Sequence, residues 1–362
     1  MPKSLTEIRK EIDTLDGELI RLLNARADCV HEVGNFKRSN GIEIYAPERE
    51  EALLRSLVKK GKGGRLPAIA IRAIYREIMS ASLALEKDLV IAYLGPEATW
   101  SHQAARSKFG ASVKYAAQTN ISDVFDQVSR GRADYGVVPI ENSTEGAVNH
   151  TLDVFMDSEL KICAQIMLRI ENNLAARIPR DAIRRIYSHP QVFGQCRQWL
   201  RVNLPAVELI EVSSTTRAAE LAGASDDAAA VVGRMAAEVY GLEILDAAIQ
   251  DTATNTTRFL VIGHSTCPAT GDDKTSVMFS VRDSVGALFS ALEPFKAFQI
   301  NLSKIESRPS KRKAWEYFFF VDLHGHCEDV KMLEALDELR KHCTFVKILG
   351  SYPNAASLAS GA

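Results

Sequence analysis

The stretch SLTEIRKEIDTLDGELIRLLNARADCVHEVGNFK, residues 4–37, decides the architecture of the N-terminal part of the chain. Its apolar side chains, Leu5, Ile8, Ile12, Leu15, Leu19, Leu22, Cys29, Val33 and Phe36, recur in alternating steps of three and four, as in a long helix with one apolar seam. Arg26 interrupts that seam. A guanidinium buried there without a partner would cost roughly 3–5 kcal/mol, the penalty for breaking a buried ion pair, so an anion is expected to meet it. Lys37 lies eleven residues on, about 20° around the helix at about 100° per residue, and addresses the same face. Arg9 sits seventeen residues before Arg26, about 25 Å along the axis and about 100° away, so an anion site served by Arg9 belongs to another subunit.

Moving outward, Pro47 suits the first position of a second helix, with Glu48, Glu50 and Glu51 near its positive end. The run KKGKGGR (59–65) breaks that helix; without the GxxxxGK[ST] order it reads as a solvated loop, not a phosphate cradle. A third helix is expected over 67–87. Three helices and no strand in this segment leave the seam uncovered, so a homodimer or higher homo-oligomer through the first helix is expected.

Beyond residue 89 the pattern changes. Short apolar runs at 90–94, 135–140, 183–187, 207–212, 229–232 and 259–262 alternate with helical stretches, which predicts an α/β region with mainly parallel sheet. Polar clusters flank these runs at 142–144, 188–191, 213–216 and 255–258, where hydroxyls, amides and helix N-termini bind carboxylates. A Pro/Gly/Thr/Asp linker spans 264–273. After it come a strand at 276–281, a helix at 284–298, strands at 300–307 and 315–322, a helix at 328–341 and a strand at 346–350, the βαββαβ order of a ferredoxin-like fold. HGHC (324–327) lies in the turn after a strand and reads as a plain loop, not a metal site.

With 362 residues, 46% of them apolar, the chain is a multidomain soluble protein; a formal charge of −2 gives no reason to expect nucleic acid or an anionic membrane as partner. No apolar run reaches the roughly 18–20 residues that span a bilayer, and no signal-peptide order opens the sequence, so a cytoplasmic location is expected. The six cysteines, Cys29, Cys163, Cys196, Cys267, Cys327 and Cys343, are scattered and read as reduced.

Three regions together resemble the bifunctional chorismate mutase/prephenate dehydratases of phenylalanine biosynthesis over nearly the whole chain. Residues 1–88 resemble the all-helical mutases through Leu15-Asp16, Arg26, EVG (32–34), Lys37, PERE (47–50), Ser82 and Glu86. The resemblance implies Lys37 and Glu86 as catalytic and Arg9 (from the partner subunit), Arg26, Arg49, Glu50 and Ser82 as substrate-binding. It shows two departures: Ala46 replaces a frequently acidic residue, and Glu86 stands where Gln is common. Residues 89–264 resemble prephenate dehydratases through YLGPEATWSHQAA (93–105), VPIENSTEGAV (138–148), YSHPQ (187–191) and NTTRF (255–259). That resemblance implies a two-lobed, periplasmic-binding-protein-like α/β domain with its site in the cleft, Thr257 as the essential hydroxyl, and Asn142, Ser143, Thr144, Ser188, Gln195 and Arg258 at the substrate. Residues 274–362 resemble an ACT domain, a ferredoxin-like α+β unit. GALF (286–289) and ESRP (306–309) match its phenylalanine-binding segments, which implies Gly286, Ala287, Leu288, Asn301, Glu306, Ser307, Arg308 and Pro309 as the allosteric set at a domain interface.

The implied partners are chorismate, prephenate and phenylalanine, with a homodimer or higher homo-oligomer formed through the first helix and the ACT domain, and with no cofactor and no metal. Chorismate rearrangement is pericyclic, so the protein holds two carboxylates in the compact conformer and stabilises charge on the ether oxygen. Arginine forks suit the carboxylates. Dehydration needs a proton donor beside the departing hydroxyl: Thr257, or else His102 or His189. Other readings are a non-catalytic two-lobed sensor, an arogenate-preferring dehydratase, and a mutase fused to a dehydrogenase. The last would need a GxGxxG turn after the first strand, where LGPEAT (94–99) stands.

Overall fold

The computed structural model describes residues 3–310 and 316–354, and its residues group into two units: Met1–Ala46 with Leu54–Leu89 and Phe109–Lys114, and Pro47–Leu53 with Val90–Lys108 and Tyr115–Ala362. In the first unit α1 (Leu5–Ser39) starts in a capping box: the Ser4 hydroxyl accepts from the Glu7 backbone N–H while the Glu7 carboxylate accepts from Ser4. α2 (Pro47–Gly61) carries Pro47 in its first turn, and its opening residues group with the second unit. α3 (Ala68–Glu86) packs along α1, where Gly34 is the buried residue of the longer helix. The seam read in the sequence faces outward. Leu5 is 64% exposed and Phe36 63%, and Ile8, Ile12, Leu15, Leu19, Leu22 and Val33 are exposed too.

The second unit begins with β1 (Val90–Leu94), α4 (Trp100–Phe109), β2 (Lys114–Gln118), α5 (Ile121–Ser129), β3 (Tyr135–Asn142), β4 (Gly146–Ala147), α6 (Asn149–Phe155) and β5 (Lys161–Arg169). The chain then crosses into a second lobe: β6 (Asn173–Ala176), β7 (Arg185–Ser188), α7 (Pro190–Gln195), α8 (Arg197–Asn203), β8 (Glu208–Glu211), α9 (Thr215–Gly223), β9 (Ala228–Val232), α10 (Arg234–Val239) and β10 (Glu243–Asp246). It returns through β11 (Thr256–Gly263) into the first sheet, ordered β2-β1-β3-β11-β5, while the second sheet runs β10-β6-β9-β7-β8. These sheets are mixed, not mainly parallel. β1–β3, β7–β8 and β7–β9 are parallel, but the crossing strands reverse the direction: β11 is antiparallel to β3 and β5, and β6 to β9 and β10.

β12 (Asp273–Val281), α11 (Ala287–Ala297), β13 (Leu302–Pro309), β14 (Tyr317–His324), α12 (Val330–His342) and β15 (Cys343–Pro353) form an antiparallel sheet ordered β13-β14-β12-β15, the expected ferredoxin-like topology. Trp315, the expected start of the third strand, lies outside the described residues. Ala291, Phe295, Met332, Leu336 and Leu339 of the helices cover one face of this sheet. From the other face Met278, Phe318, Phe320, Leu349 and Tyr352 join Leu152, Phe155, Ile162 and Leu260 in one core, so residues 89–264 and 274–362 share their interior. His326 is buried, its Nε2 2.8 Å from the Cys267 carbonyl. All six cysteines are free, and no helix among the described residues is long and apolar enough to cross a membrane.

Candidate active sites

Where α1 crosses α3, the first unit gathers four of the expected mutase residues. Arg26 Nη1 donates to Ser82 Oγ, which in turn donates 2.7 Å to the Ile78 carbonyl. The Lys37 ammonium lies 3.3 Å from Glu86 Oε2 and 2.6 Å from the Ile44 carbonyl, and Glu86 is only 9% exposed. Ser82 and Glu86, one turn apart on α3, therefore meet the two α1 cations: Glu86 gives Lys37 an anion, but Arg26 meets a neutral hydroxyl where an anion was expected. Arg38, absent from the expectation, donates to the Glu86 carbonyl and, at 2.6 Å, to Asn35 Oδ1, closing the end of α3. Its lysine–arginine neighbourhood at the end of α1 was the only signal for it. Arg9 and Arg49 are exposed. Glu50 groups with the second unit, where its carboxylate lies 3.1 Å from Lys108 Nζ; burial pushes it above the usual carboxylate value, against the pull of that lysine.

The second unit builds a chain of amides ending on a hydroxyl. β3 and β11 pair Asn142 with Thr257, and Asn142 Nδ2 donates 2.7 Å to Thr257 Oγ1 and 2.9 Å to Asn255 Oδ1. The orientation of Asn142 is forced, because its Oδ1 accepts from the backbone N–H groups of Thr144 (2.9 Å) and Glu145 (3.1 Å) and from the Thr144 hydroxyl (2.6 Å). Thr257 Oγ1 is thus an acceptor for Asn142, and its own proton points elsewhere. Asn255 and Asn172 both donate 3.1 Å to Gln195 Oε1, which leaves Gln195 Nε2 available to a ligand. Asn172 stands where the chain leaves the first lobe and Asn255 where it returns, so this network lies on the two crossings. Asn255 opens the polar cluster read at 255–258, whereas Asn172 was not singled out; the buried pair NN (172–173) at the start of β6 was the signal available. Ser143 exchanges bonds with the backbone of Thr254 and Thr256, fixing the turn beside Asn142.

Four residues named from the sequence fall elsewhere. Ser188 is buried and donates 2.7 Å to the Val231 carbonyl, tying β7 to β9. Its hydroxyl is not brought to the amide chain. Arg258 follows Thr257 on a strand, so its side chain leaves the opposite face. It is 7% exposed, with Nη1 2.5 Å from Asp322 Oδ2 and Nη2 2.8 Å from the Tyr352 hydroxyl, and the expected substrate contact is replaced by a bond to the C-terminal sheet. His102 accepts from the Ala98 N–H through Nδ1 and stacks on Tyr93 at 4.5 Å; burial lowers its pKa, against the pull of Glu97. His189 caps α7, accepting from the Gln191 N–H. Both histidines are helix-end residues in this fold.

In the C-terminal sheet Gly286 adopts φ +78° at the start of α11, a conformation that favours glycine. Ala287 and Leu288 line a cavity of about 550 Å³ with Asp283, Ser284, Tyr317 and Thr344. Glu306, Ser307, Arg308 and Pro309 lie on the edge strand β13 outside that lining, although Pro309 pairs with Tyr317 at its rim. Arg308 Nε is 3.2 Å from Asp153 Oδ1 of α6, and Asn301 is exposed. No group of three or more His, Cys, Asp or Glu among the described residues is arranged to hold a metal.

Comparison with known proteins matches three family models in order: chorismate mutase type II over residues 8–87, prephenate dehydratase over 91–267 and the ACT domain over 275–341. A bifunctional chorismate mutase/prephenate dehydratase of Aquifex aeolicus is 48% identical over 98% of this chain and 99% of its own length. One from Neisseria gonorrhoeae is 45% identical, with 96% of each chain covered. Among solved structures, the prephenate dehydratase of Arthrobacter aurescens in complex with L-Phe aligns with a TM-score of 0.69 at 34% identity, covering 74% of this chain and 91% of that one.

Proposed function

The chain belongs to the bifunctional chorismate mutase/prephenate dehydratase family, and from that premise we propose how its own residues divide the two reactions. It converts chorismate to prephenate and prephenate to phenylpyruvate, with segments 1–88, 89–264 and 274–362 carrying the mutase, the dehydratase and the response to phenylalanine. In the mutase, Arg26, with Ser82 bound to it, grips a substrate carboxylate. Lys37 and Glu86 face the ether oxygen, where a protonated Glu86 donates to the charge that develops. Arg9 reaches in from a second copy across the exposed apolar seam, and Arg49 completes the anion site.

Dehydration rests on one observation, the 2.7 Å bond from the pinned Asn142 amide to Thr257 Oγ1. Because that oxygen accepts from Asn142, its proton is aimed away, and Thr257 donates it to the departing hydroxyl. The ring C–O bond breaks as water leaves, the electrons of the breaking C–CO₂ bond complete the aromatic ring, and carbon dioxide departs. The Asn142 amide stabilises the oxyanion left on Thr257 until it is reprotonated. Gln195 Nε2 holds a substrate carboxylate.

Phenylalanine binds the C-terminal sheet between copies of the chain, with the Gly286–Leu288 turn of one and the edge strand β13 of another, because within one chain these segments line different surfaces. The enzyme works in the cytoplasm as a homodimer or larger assembly. Separability tests the division: Thr257→Ala should nearly abolish phenylpyruvate formation and leave the mutase within a few fold, and Arg26→Ala should do the reverse. Loss of both activities in either folded variant would overturn it.

A further inference from the structure

Two ion pairs reach the dehydratase site from behind. In the β3–β11 ladder Thr257 pairs with Asn142 and Arg258 with Glu141; the register then shifts, with Phe259 opposite Pro139. Ile140 is the extra residue of a bulge, and Pro139 has no N–H to give to the ladder. The tip of β3, which holds Asn142, is thus separated from the regular part of its strand. Side chains alternate along a strand, so Asn142 and Thr257 face the site while Glu141 and Arg258 face the C-terminal sheet. There Arg258 meets Asp322 and Tyr352, and Ser276 Oγ donates 2.5 Å to the other oxygen of Asp322. Glu141 lies 2.9 Å from Lys304 Nζ and 3.8 Å from Arg258. Arg258, Ser276, Lys304 and Asp322 line one small cavity beside the apolar core that the two segments share.

We propose that Glu141 and Arg258 are positioning residues for dehydration: Lys304, Asp322 and Tyr352 of the C-terminal sheet hold them, and through them the Asn142–Thr257 bond. Lys304 lies on β13 two residues before Glu306 and four before Arg308, on the same face, so a ligand that displaces that edge strand pulls directly on the tip of β3. The inference rests on the assignment of Thr257 and Asn142 to dehydration.

Purified full-length variants test it with prephenate and, on the same preparations, chorismate. Lys304→Met removes the outer pair and leaves the buried one. It should lower dehydratase kcat about threefold or more with KM within about twofold, since small displacements at reacting atoms act on kcat. Lys304→Arg should restore the rate, and half-inhibition by phenylalanine should shift in Lys304→Met but not in Lys304→Arg. Asp322→Asn should lower kcat roughly tenfold or more, with mutase kcat unchanged. Wild-type kcat in Lys304→Met would overturn the proposal even if Asp322→Asn failed to fold, and so would a fall that Lys304→Arg does not restore. A wild-type chain that makes no phenylpyruvate, or a Thr257→Ala chain that makes it at the full rate, would instead sink the underlying assignment.

Discussion

Gly34→Ala separates the geometry of the mutase site from the stability of its helix. A Cβ added at Gly34 would stand 3.1 Å from Glu86 Cγ and 3.4 Å from Glu86 Cβ. Carbon atoms in good contact are about 3.5–4.0 Å apart, so Glu86 or the helix must yield by a few tenths of an ångström. In stability two effects oppose each other. Alanine favours the interior of a helix over glycine by about 0.8–1.0 kcal/mol. Overpacking costs about 1–3 kcal/mol, and the bendable Glu86 side chain keeps it near the low end, so the net loss is about 0–2 kcal/mol. Catalysis has no such offset, because the displaced Cγ carries the carboxyl that faces Lys37. A 1 Å misplacement costs up to about 100-fold, so a few tenths should lower mutase kcat roughly 3- to 6-fold. The assay is chorismate consumption beside a thermal melt. Gly17→Ala, on the same helix with nothing within 4 Å of the added Cβ, is the control, expected to keep full activity. Unaltered kcat in Gly34→Ala, or an equal fall in Gly17→Ala, would refute the placement of Glu86.

Mixing inactive Arg9→Ala and Arg26→Ala chains should restore part of the mutase activity in hybrid assemblies; no recovery after proven subunit exchange would rule out a shared site. Burial alone would raise the Asp322 pKa, but the Arg258 charge beside it, with the Arg258 and Ser276 hydrogen bonds, holds it below the usual carboxylate value. A depressed folded pKa gives stability that is full above the unfolded value near pH 4 and lost as pH falls through the folded one, so urea midpoints should decline less in acid for Asp322→Asn than for wild type. Equal acid slopes would count against it. A chain ending after His264 loses Met278, Phe318, Phe320, Leu349 and Tyr352 from the core it shares, so it should lose dehydratase activity as well as phenylalanine sensitivity. Full kcat in that truncated chain would contradict the shared interior.

The helices and the C-terminal sheet were legible because their patterns are long. α1 kept its register over many turns, although its seam faces outward and Arg26, for which an anion was expected, meets the neutral Ser82 hydroxyl. Most missed strands were short or patternless. NLAA of β6 is alanine-rich and resembles helix as much as strand. KICAQIMLR of β5 is buried over most of its length, without the alternation that marks a half-exposed strand. Missing β5 and β6 hid the crossings between lobes, and with them the reversal that makes both sheets mixed and sets Asn172 beside Asn255.

Arg258 and Glu141 leave the site for one cause. A motif is a run of neighbours in sequence, and a strand sends neighbours to opposite faces. In NTTRF the site takes Asn255 and Thr257, while Arg258 goes to Asp322; in VPIENSTEGAV Asn142 faces Thr257 while Glu141 goes to Lys304. Both strings therefore hold two sets of residues, one joined in the Asn142–Thr257 network and one bonded to the sheet behind it. Glu50 departs for a different reason: it matches a mutase motif on a helix, yet its carboxylate meets Lys108, the penultimate residue of α4. If residues of the second set only filled space, an apolar side chain would serve in the buried seam. Instead Arg258 and Asp322 are both under a tenth exposed and bonded to each other, an arrangement that breaks at a cost of about 3–5 kcal/mol when one partner is removed. A pair that sensitive to its partner, one residue from the hydroxyl proposed to react, is the proposed tie between the C-terminal sheet and the dehydratase site.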